Sequence, residues 1–253
     1  MNILITGASS QLAQTIASEL KDDHSIRLMD SVPVDVAEGC DFIQGNILDT
    51  DDSWEVVRGV DTLIHTGAPP TDLPSEEIKR EQMLLDLATR GTHVLFSAAV
   101  EAGIKRLIYA STLSIFNNYP DDVYITELWK PLPSPEIVEM TKYLGELTAR
   151  EFAREHLVTV TGLRLGELVL EETVQGETPN LAWLDIRDAA GAFRCVLNRN
   201  SSNSAWWAQR WAVYHICADI PNPKFLIDQA RGIGYDPTYN FQNLYLKPSD
   251  SSV

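Results

Sequence analysis

Cysteine and lysine are both scarce in this chain. Three cysteines among 253 residues, Cys40, Cys195 and Cys217, cannot all pair and show no C-x-x-C spacing, which excludes a disulfide framework and a thiolate zinc site. Only seven lysines contribute to 20 basic side chains against 36 acidic ones, a formal charge of −16 and a pI near 4.6. So acidic a chain is repelled by phosphate backbones and anionic bilayers, and neither nucleic acid nor membrane is expected as a partner. No apolar run approaches the ~18 residues that span a bilayer. The five histidines show no H-E-x-x-H spacing, no metal site is expected, and no G-x-S-x-G nucleophile elbow occurs. The opening MNILITGASS enters an apolar run without a basic n-region, so no secretory leader is expected and the thiols read as reduced, in a cytoplasmic protein. What is present, 44% apolar and 22% charged residues, is an ordinary globular composition at a length that suits one large domain.

Short β-rich runs alternate with helical periods, the pattern of an α/β fold with a doubly wound parallel sheet of Rossmann type. Strands are predicted at 2–5, 25–29, 42–44, 62–65, 107–110 and 158–163, and helices at 10–20, 53–58 and 75–102. Another helix opens at Ser134-Pro135-Glu136, with a capping serine, a proline at the first helical position and an acid in the first turn. After Leu163 the alternation weakens: 166–180 is irregular, 185–196 helical, 198–204 a loop, 212–217 a late strand and 224–231 a short helix, before a tail with Pro237 and Pro248. This predicts a dinucleotide-binding core over 1–165 and a reduced substrate-binding part over 166–253, from which 185–197 and 212–218 return to the core.

Between the first strand and first helix lies Thr6-Gly7-Ala8-Ser9-Ser10-Gln11-Leu12-Ala13, where a nucleotide pyrophosphate rests on a helix N-terminus. Asp30 ends the second strand, placed to accept from ribose hydroxyls, and no Arg or Lys follows it before Glu38, which favours NAD over NADP.

At these residues the chain resembles the extended short-chain dehydrogenase/reductase family, the NAD-dependent epimerase/dehydratase group. Its T-G-x-x-G-x-x-G pattern is present with Ser10 at the second glycine and Ala13 at the third. A serine there puts a Cβ and a hydroxyl against the pyrophosphate. Gly45-Asn46-Ile47 resembles the adenine-contacting G-D-[IL], and Asp61 to Ala68 the D-x-V-I-H-L-A-A strand end where the backbone passes the cofactor. The resemblance therefore implies NAD contacts from Gly7, Ser10, Gln11, Leu12, Asp30, Asn46, Ile47, Thr66, Gly67, Ala68 and Lys142. His65 reads as a buried, satisfied histidine. Arg90-Gly91-Thr92 resembles the family's N-x-x-G-T helix, with Ala88 in place of its asparagine. Arg106 to Thr112 resembles the strand that delivers its catalytic Ser/Thr, and later segments match in order to about residue 240.

The family's base is the tyrosine of Y-x-x-x-K, whose spacing puts both side chains on one helix face. Thr141-Lys142-Tyr143-Leu144-Gly145-Glu146 resembles the stretch around its lysine, but Val138 stands four residues before Lys142, and no lysine in the chain has a tyrosine at that spacing. The resemblance thus implies catalytic roles for Thr112 and Lys142 in a non-standard or degenerate acid/base site, with Tyr119 or Tyr124 as loop substitutes for the missing phenol. Two functions remain open: an epimerase/dehydratase-type oxidoreductase acting on a small molecule such as a nucleotide sugar, and a non-enzymatic NAD-sensing or partner-binding regulator. A homodimer through helices around 80–102 and 136–156 is also implied. An enclosed pocket holding Thr112, Lys142 and a titratable group favours the first; apolar walls favour the second.

Overall fold

The run Ile3-Leu4-Ile5 is apolar without alternation because the strand that contains it, β1 (Asn2–Thr6), is covered on both faces. The computed structural model describes residues 1–245, so the tail proline Pro248 lies outside the described residues. From β1 the chain continues through α1 (Gln11–Leu20), β2 (Ser25–Asp30), β3 (Cys40–Gln44), α2 (Thr50–Val56) and β4 (Thr62–His65). Then come α3 (Glu77–Asp86), a wide π-helical turn at Leu87–Gly91, α4 (Thr92–Glu101), β5 (Arg106–Thr112), α5 (Ile137–Glu155) and β6 (Thr159–Leu165). The remainder holds β7 (Glu167–Val169), β8 (Trp183–Asp185), α6 (Ile186–Val196), α7 (Trp207–Arg210), β9 (Trp211–Ile216), α8 (Asp228–Arg231) and α9 (Gln242–Tyr245).

Seven of these strands form one parallel sheet in the order β3-β2-β1-β4-β5-β6-β9, while β7 and β8 pair separately. This is the doubly wound sheet expected from the alternation. The strand order reverses between β1 and β4, where Thr6 lies beside His65, so a crevice opens at the carboxyl ends of those strands. One face is packed by α1 and α6 through Leu12, Ile16, Leu20, Ala189 and Phe193. The other is packed by α2, α4 and α5 through Val56, Leu95, Phe96, Ala149 and Phe152. Among the described residues no helix is long and apolar enough to cross a membrane.

Several boundaries differ from the sequence expectation for local reasons. α2 begins at Thr50 because Asp49 caps it, accepting from the amides of Asp51 and Asp52 at 2.8 and 3.1 Å. α5 begins at Ile137, two residues past the expected proline start, because Glu139 reaches back to accept from the Ser134 amide at 2.8 Å and holds 134–136 as a separate turn. The segment expected to be a single helix over 75–102 is interrupted by the π turn, and that expected over 224–231 is reduced to α8.

α5 is fixed to the sheet by a buried ion pair. Glu146 accepts from Arg164 Nη2 and Nε at 2.7 and 3.0 Å and from Ser111 Oγ at 2.6 Å, joining α5 to β6 and β5. Both partners are about 4% exposed. Glu146→Ala strands the Arg164 guanidinium in the interior, and its unfolding free energy, measured by equilibrium urea titration, should fall by about 3–5 kcal/mol.

Candidate functional site

The turn after β1 is held tight by Gly7, whose φ of +79° is left-handed and whose position leaves no room for a side chain: a Cβ there would lie 2.4 Å from Thr66 Oγ1. The amides of Gly7 and Ala8 both donate to the Met29 carbonyl, at 2.9 and 3.1 Å. Ser10 is the N-cap of α1; its Oγ donates to the Gly7 carbonyl at 2.7 Å and accepts from the Ala13 amide at 3.2 Å. The hydroxyl is thus spent within the turn. Gln11 is exposed at the open end of α1, whereas the Leu12 side chain points into the core, so Leu12 can meet a ligand only through its backbone.

Asp30, at the end of β2, is 6% exposed and accepts from the Ser9 amide at 2.8 Å through Oδ2, which ties β2 to the turn. Its Oδ1 has only a 3.4 Å contact with the Val32 amide and keeps acceptor capacity. Asn46 uses Oδ1 to accept from the Leu48 amide at 2.9 Å, leaving its NH2 uncommitted by that turn. Gly7, Asp30, Ser31, Asn46, Ile47 and Ala68 line one narrow cleft at the switch point.

At the end of β4, His65 is 3% exposed with both ring nitrogens paired, Nδ1 to Thr6 Oγ1 at 2.7 Å and Nε2 to Thr92 Oγ1 at 3.1 Å. Burial, helped by the Lys142 charge, lowers its pKa to about 3, so it stays neutral; it is the buried, satisfied histidine of the sequence reading, and it also joins β1, β4 and α4. Thr66 Oγ1 donates to the Thr6 carbonyl at 2.8 Å and accepts from the Ala68 amide at 3.2 Å. Lys142, from α5, directs its ammonium beneath this strand end and donates to the carbonyls of Thr66, Gly67 and Ala110 at 2.7, 3.1 and 3.3 Å. All three of its hydrogens are committed to backbone. Burial pulls its pKa down to about 8.

Lys142 and Gly67 border a second cavity of about 270 Å³ that shares Ile47, His65, Ala68 and Leu87 with the first. Thr112 lines neither; its Oγ1 pairs with Ser114 Oγ at 3.0 Å and accepts from the Ser114 amide at 3.1 Å. Val138 stands one turn before Lys142 and is 64% exposed. Tyr119 donates to the Lys130 carbonyl at 3.0 Å and Tyr124 is 57% exposed, and neither lines the two cavities. Among the described residues no cluster of three or more His, Cys, Asp or Glu could hold a metal.

The sequence reading missed Tyr109. Its side chain is 1% exposed, lies beside His65 in the β4–β5 register, packs its phenol against Gly145 of α5 and contributes to the wall of the second cavity. The available signal was Gly145: a glycine inside a helix costs about 1 kcal/mol against alanine and asks for a packing reason. Here a Cβ at 145 would lie 2.0 Å from Tyr109 Oη.

The family model described as "Epimerase: NAD dependent epimerase/dehydratase family" matches residues 3–180. The NAD-dependent glucose-6-phosphate dehydrogenase of Haloferax volcanii is 24% identical over 94% of this chain and 93% of its own length. The uronate dehydrogenase of Pseudomonas syringae pv. tomato is also 24% identical, over 83% of this chain and 78% of its own. Among solved structures, a tyrosine-to-alanine variant of uronate dehydrogenase from Agrobacterium tumefaciens, complexed with NAD, shares the fold with a TM-score of 0.76 at 18% identity, covering 99% of this chain and 91% of that one.

The Lys142 environment gives a pH test. The folded pKa near 8 lies below the ordinary 10.5, so between these values the unfolded chain holds more protons at this site and stability gains with rising pH. Urea titrations from pH 7.5 to 9.5 should show this gain in the parent relative to Lys142→Met, a comparison that cancels the opposing titration of buried tyrosine and cysteine.

Proposed function

The chain belongs to the NAD dependent epimerase/dehydratase family, and we propose that it binds NAD across the carboxyl ends of its central strands and acts as an oxidoreductase with a non-standard acid/base site. The cleft built by Gly7, Asp30 and Asn46 carries this reading. The left-handed Gly7 brings the backbone close, the Gln11 and Leu12 amides face outward from α1 toward a pyrophosphate, and Asp30 Oδ1 accepts from ribose hydroxyls. No Arg or Lys lines the cleft, and the Asp30 carboxylate repels a 2′-phosphate, which supports NAD over NADP. NAD, when bound, supplies the hydride acceptor or donor.

The chain's own part in the chemistry is narrower than the family pattern. Lys142 orients a nicotinamide ribose only by releasing one of its three carbonyls. Val138 neither gives nor takes a proton, and Thr112 reaches a substrate only by turning away from Ser114. These same commitments favour a second reading, an NAD-sensing regulator on the same scaffold. In either case the proposal assigns the cofactor to the 1–165 core and substrate binding to the 166–253 part, and includes a homodimer through α3–α4 and α5.

Titration with NADH, followed by tryptophan-to-NADH energy transfer with NADPH as control, tests the cofactor: saturable micromolar binding that favours NADH is expected. Asp30→Ala should weaken NADH by about tenfold or more and narrow the preference. Turnover of alcohols or carbonyls by the parent chain supports the enzyme, turnover gained only in Val138→Tyr supports the regulator, and no binding of either nucleotide at millimolar concentration overturns both.

A further inference from the structure

The last described segment, 237–245, joins no strand or helix of the rest of the chain. Among the described residues, none of its backbone groups pairs with backbone outside the segment. Side chains hold it instead. Asp188 of α6 accepts from the Thr238 amide at 3.0 Å through Oδ1 and from the Tyr239 amide at 2.8 Å through Oδ2. Glu171 accepts from the Phe241 amide at 2.6 Å, and Asn240 Oδ1 accepts from the Asp219 amide at 2.7 Å. Arg187 lies over the Tyr239 ring at 3.6 Å, and at the far end Tyr245 Oη donates to the Asn180 carbonyl at 2.5 Å. Amide bonds to a carboxylate are charge-assisted and roughly twice as strong as neutral ones, so Asp188 and Glu171 are the main latches.

What the segment covers is separate too. Phe241 is 1% exposed and packs with Val174, Trp183, Ala218 and Ile220 in a cluster distinct from the two that cover the sheet. Its φ of +51° is left-handed, a strained conformation for a bulky residue that works against closure. Tyr235, by contrast, belongs to the sheet core and donates to the Cys217 carbonyl at 3.1 Å, which anchors the chain just before Pro237. Few buried apolar contacts and no backbone ladder are the marks of a unit that opens below the global unfolding free energy. The segment also backs a wall: Leu181 packs on its apolar cluster, Tyr245 holds Asn180, and 179–182 forms one side of a cavity of about 340 Å³ faced by Asn117, Asp121, Lys224 and Phe225. We propose that 237–245 is a strap that opens as a unit about Asp236-Pro237 while the sheet stays folded, and that its closure on Asp188 and Glu171 sets the 179–182 wall of that cavity. The strap deepens the proposed function by giving the substrate side a gate. It depends on that reading only where the cavity is called a substrate site; the opening stands on the contacts.

Hydrogen exchange of the full chain without nucleotide, resolved to single amides by NMR, tests the strap. The amides of Thr238, Tyr239, Phe241 and Leu244 should exchange together, faster than those of β1 and β5 and with a smaller dependence on added urea. Glu171→Ala removes the acceptor of the Phe241 amide alone, yet should speed Thr238 and Tyr239 by the same factor, about tenfold or more, and carry the amides of Ala182 and Trp183 with them. Asp188→Asn should do the converse, speeding Phe241 and Leu244, which it does not touch. If Asp188→Asn does not fold, Glu171→Ala, at a half-buried position outside regular secondary structure, decides alone. Strap amides that exchange only with β1 and β5, substitutions that speed only the amide they release, or a 179–182 wall indifferent to both overturn the proposal. Opening as expected in a chain that does not bind NADH removes the proposed function and leaves the strap; NADH binding with strap amides tied to the core does the reverse.

Discussion

A carboxylate and a guanidinium buried together, Glu146 and Arg164, fix α5 against the sheet, and the positions of the site follow from that contact. Burying two charges is costly unless geometry and further hydrogen bonds compensate, and here the pairing is bidentate with the Ser111 hydroxyl filling a remaining lone pair. Lys142 is one turn earlier on the same helix, so the registration that serves Glu146 also delivers the ammonium to the carbonyls at the ends of β4 and β5. Two charged contacts four residues apart thus set both the depth and the rotation of α5. Val138, a further turn back, emerges at the rim of the second cavity as a result.

This arrangement links the fold to chemistry through hydrogen-bond accounting. Around the nucleotide cleft the backbone and Asp30 keep unfilled capacity, while around the second cavity nearly every polar atom is satisfied by the protein itself. A site that is satisfied internally has little to offer a polar ligand. The acidic surface charge of the chain does not alter this, because the contacts in question lie beneath the surface, where neighbouring dipoles outweigh distant charges.

Much of the fold was legible because the physics behind it is local. The apolar run of β1, the glycine turn, Asp30 at a strand end and the stripe of Leu12, Ile16 and Leu20 at intervals of four each need only nearby residues to be read. The start of α5 was misplaced because the Ser134 hydroxyl caps only its own turn, accepting from the Glu136 amide at 3.3 Å, while Glu139 accepts from the Ser134 amide, and sequence signals rank caps without showing which carboxylate will swing back. Of the residues singled out for cofactor contact, most gather along the two cavities, since a strand end and a helix start fix backbone position. Side-chain commitments were less legible: the pairing of Thr112 with Ser114, of Ser10 with its own turn and of Lys142 with three carbonyls depends on angles that letters do not record. Tyr109 escaped notice because its importance comes from Gly145 on another element.

The π turn at Leu87–Gly91 lets one continuous rod answer to two neighbours. Each residue advances a helix by about 100°, so a single wide turn resets the phase of everything before it relative to everything after. Beyond the turn, α4 sends Leu95 and Phe96 into the core; before it, α3 has no buried residue and turns Leu84 to the cavity instead. Without that reset, a regular helix from Glu77 to Glu101 would have one azimuth to share between the core and the site.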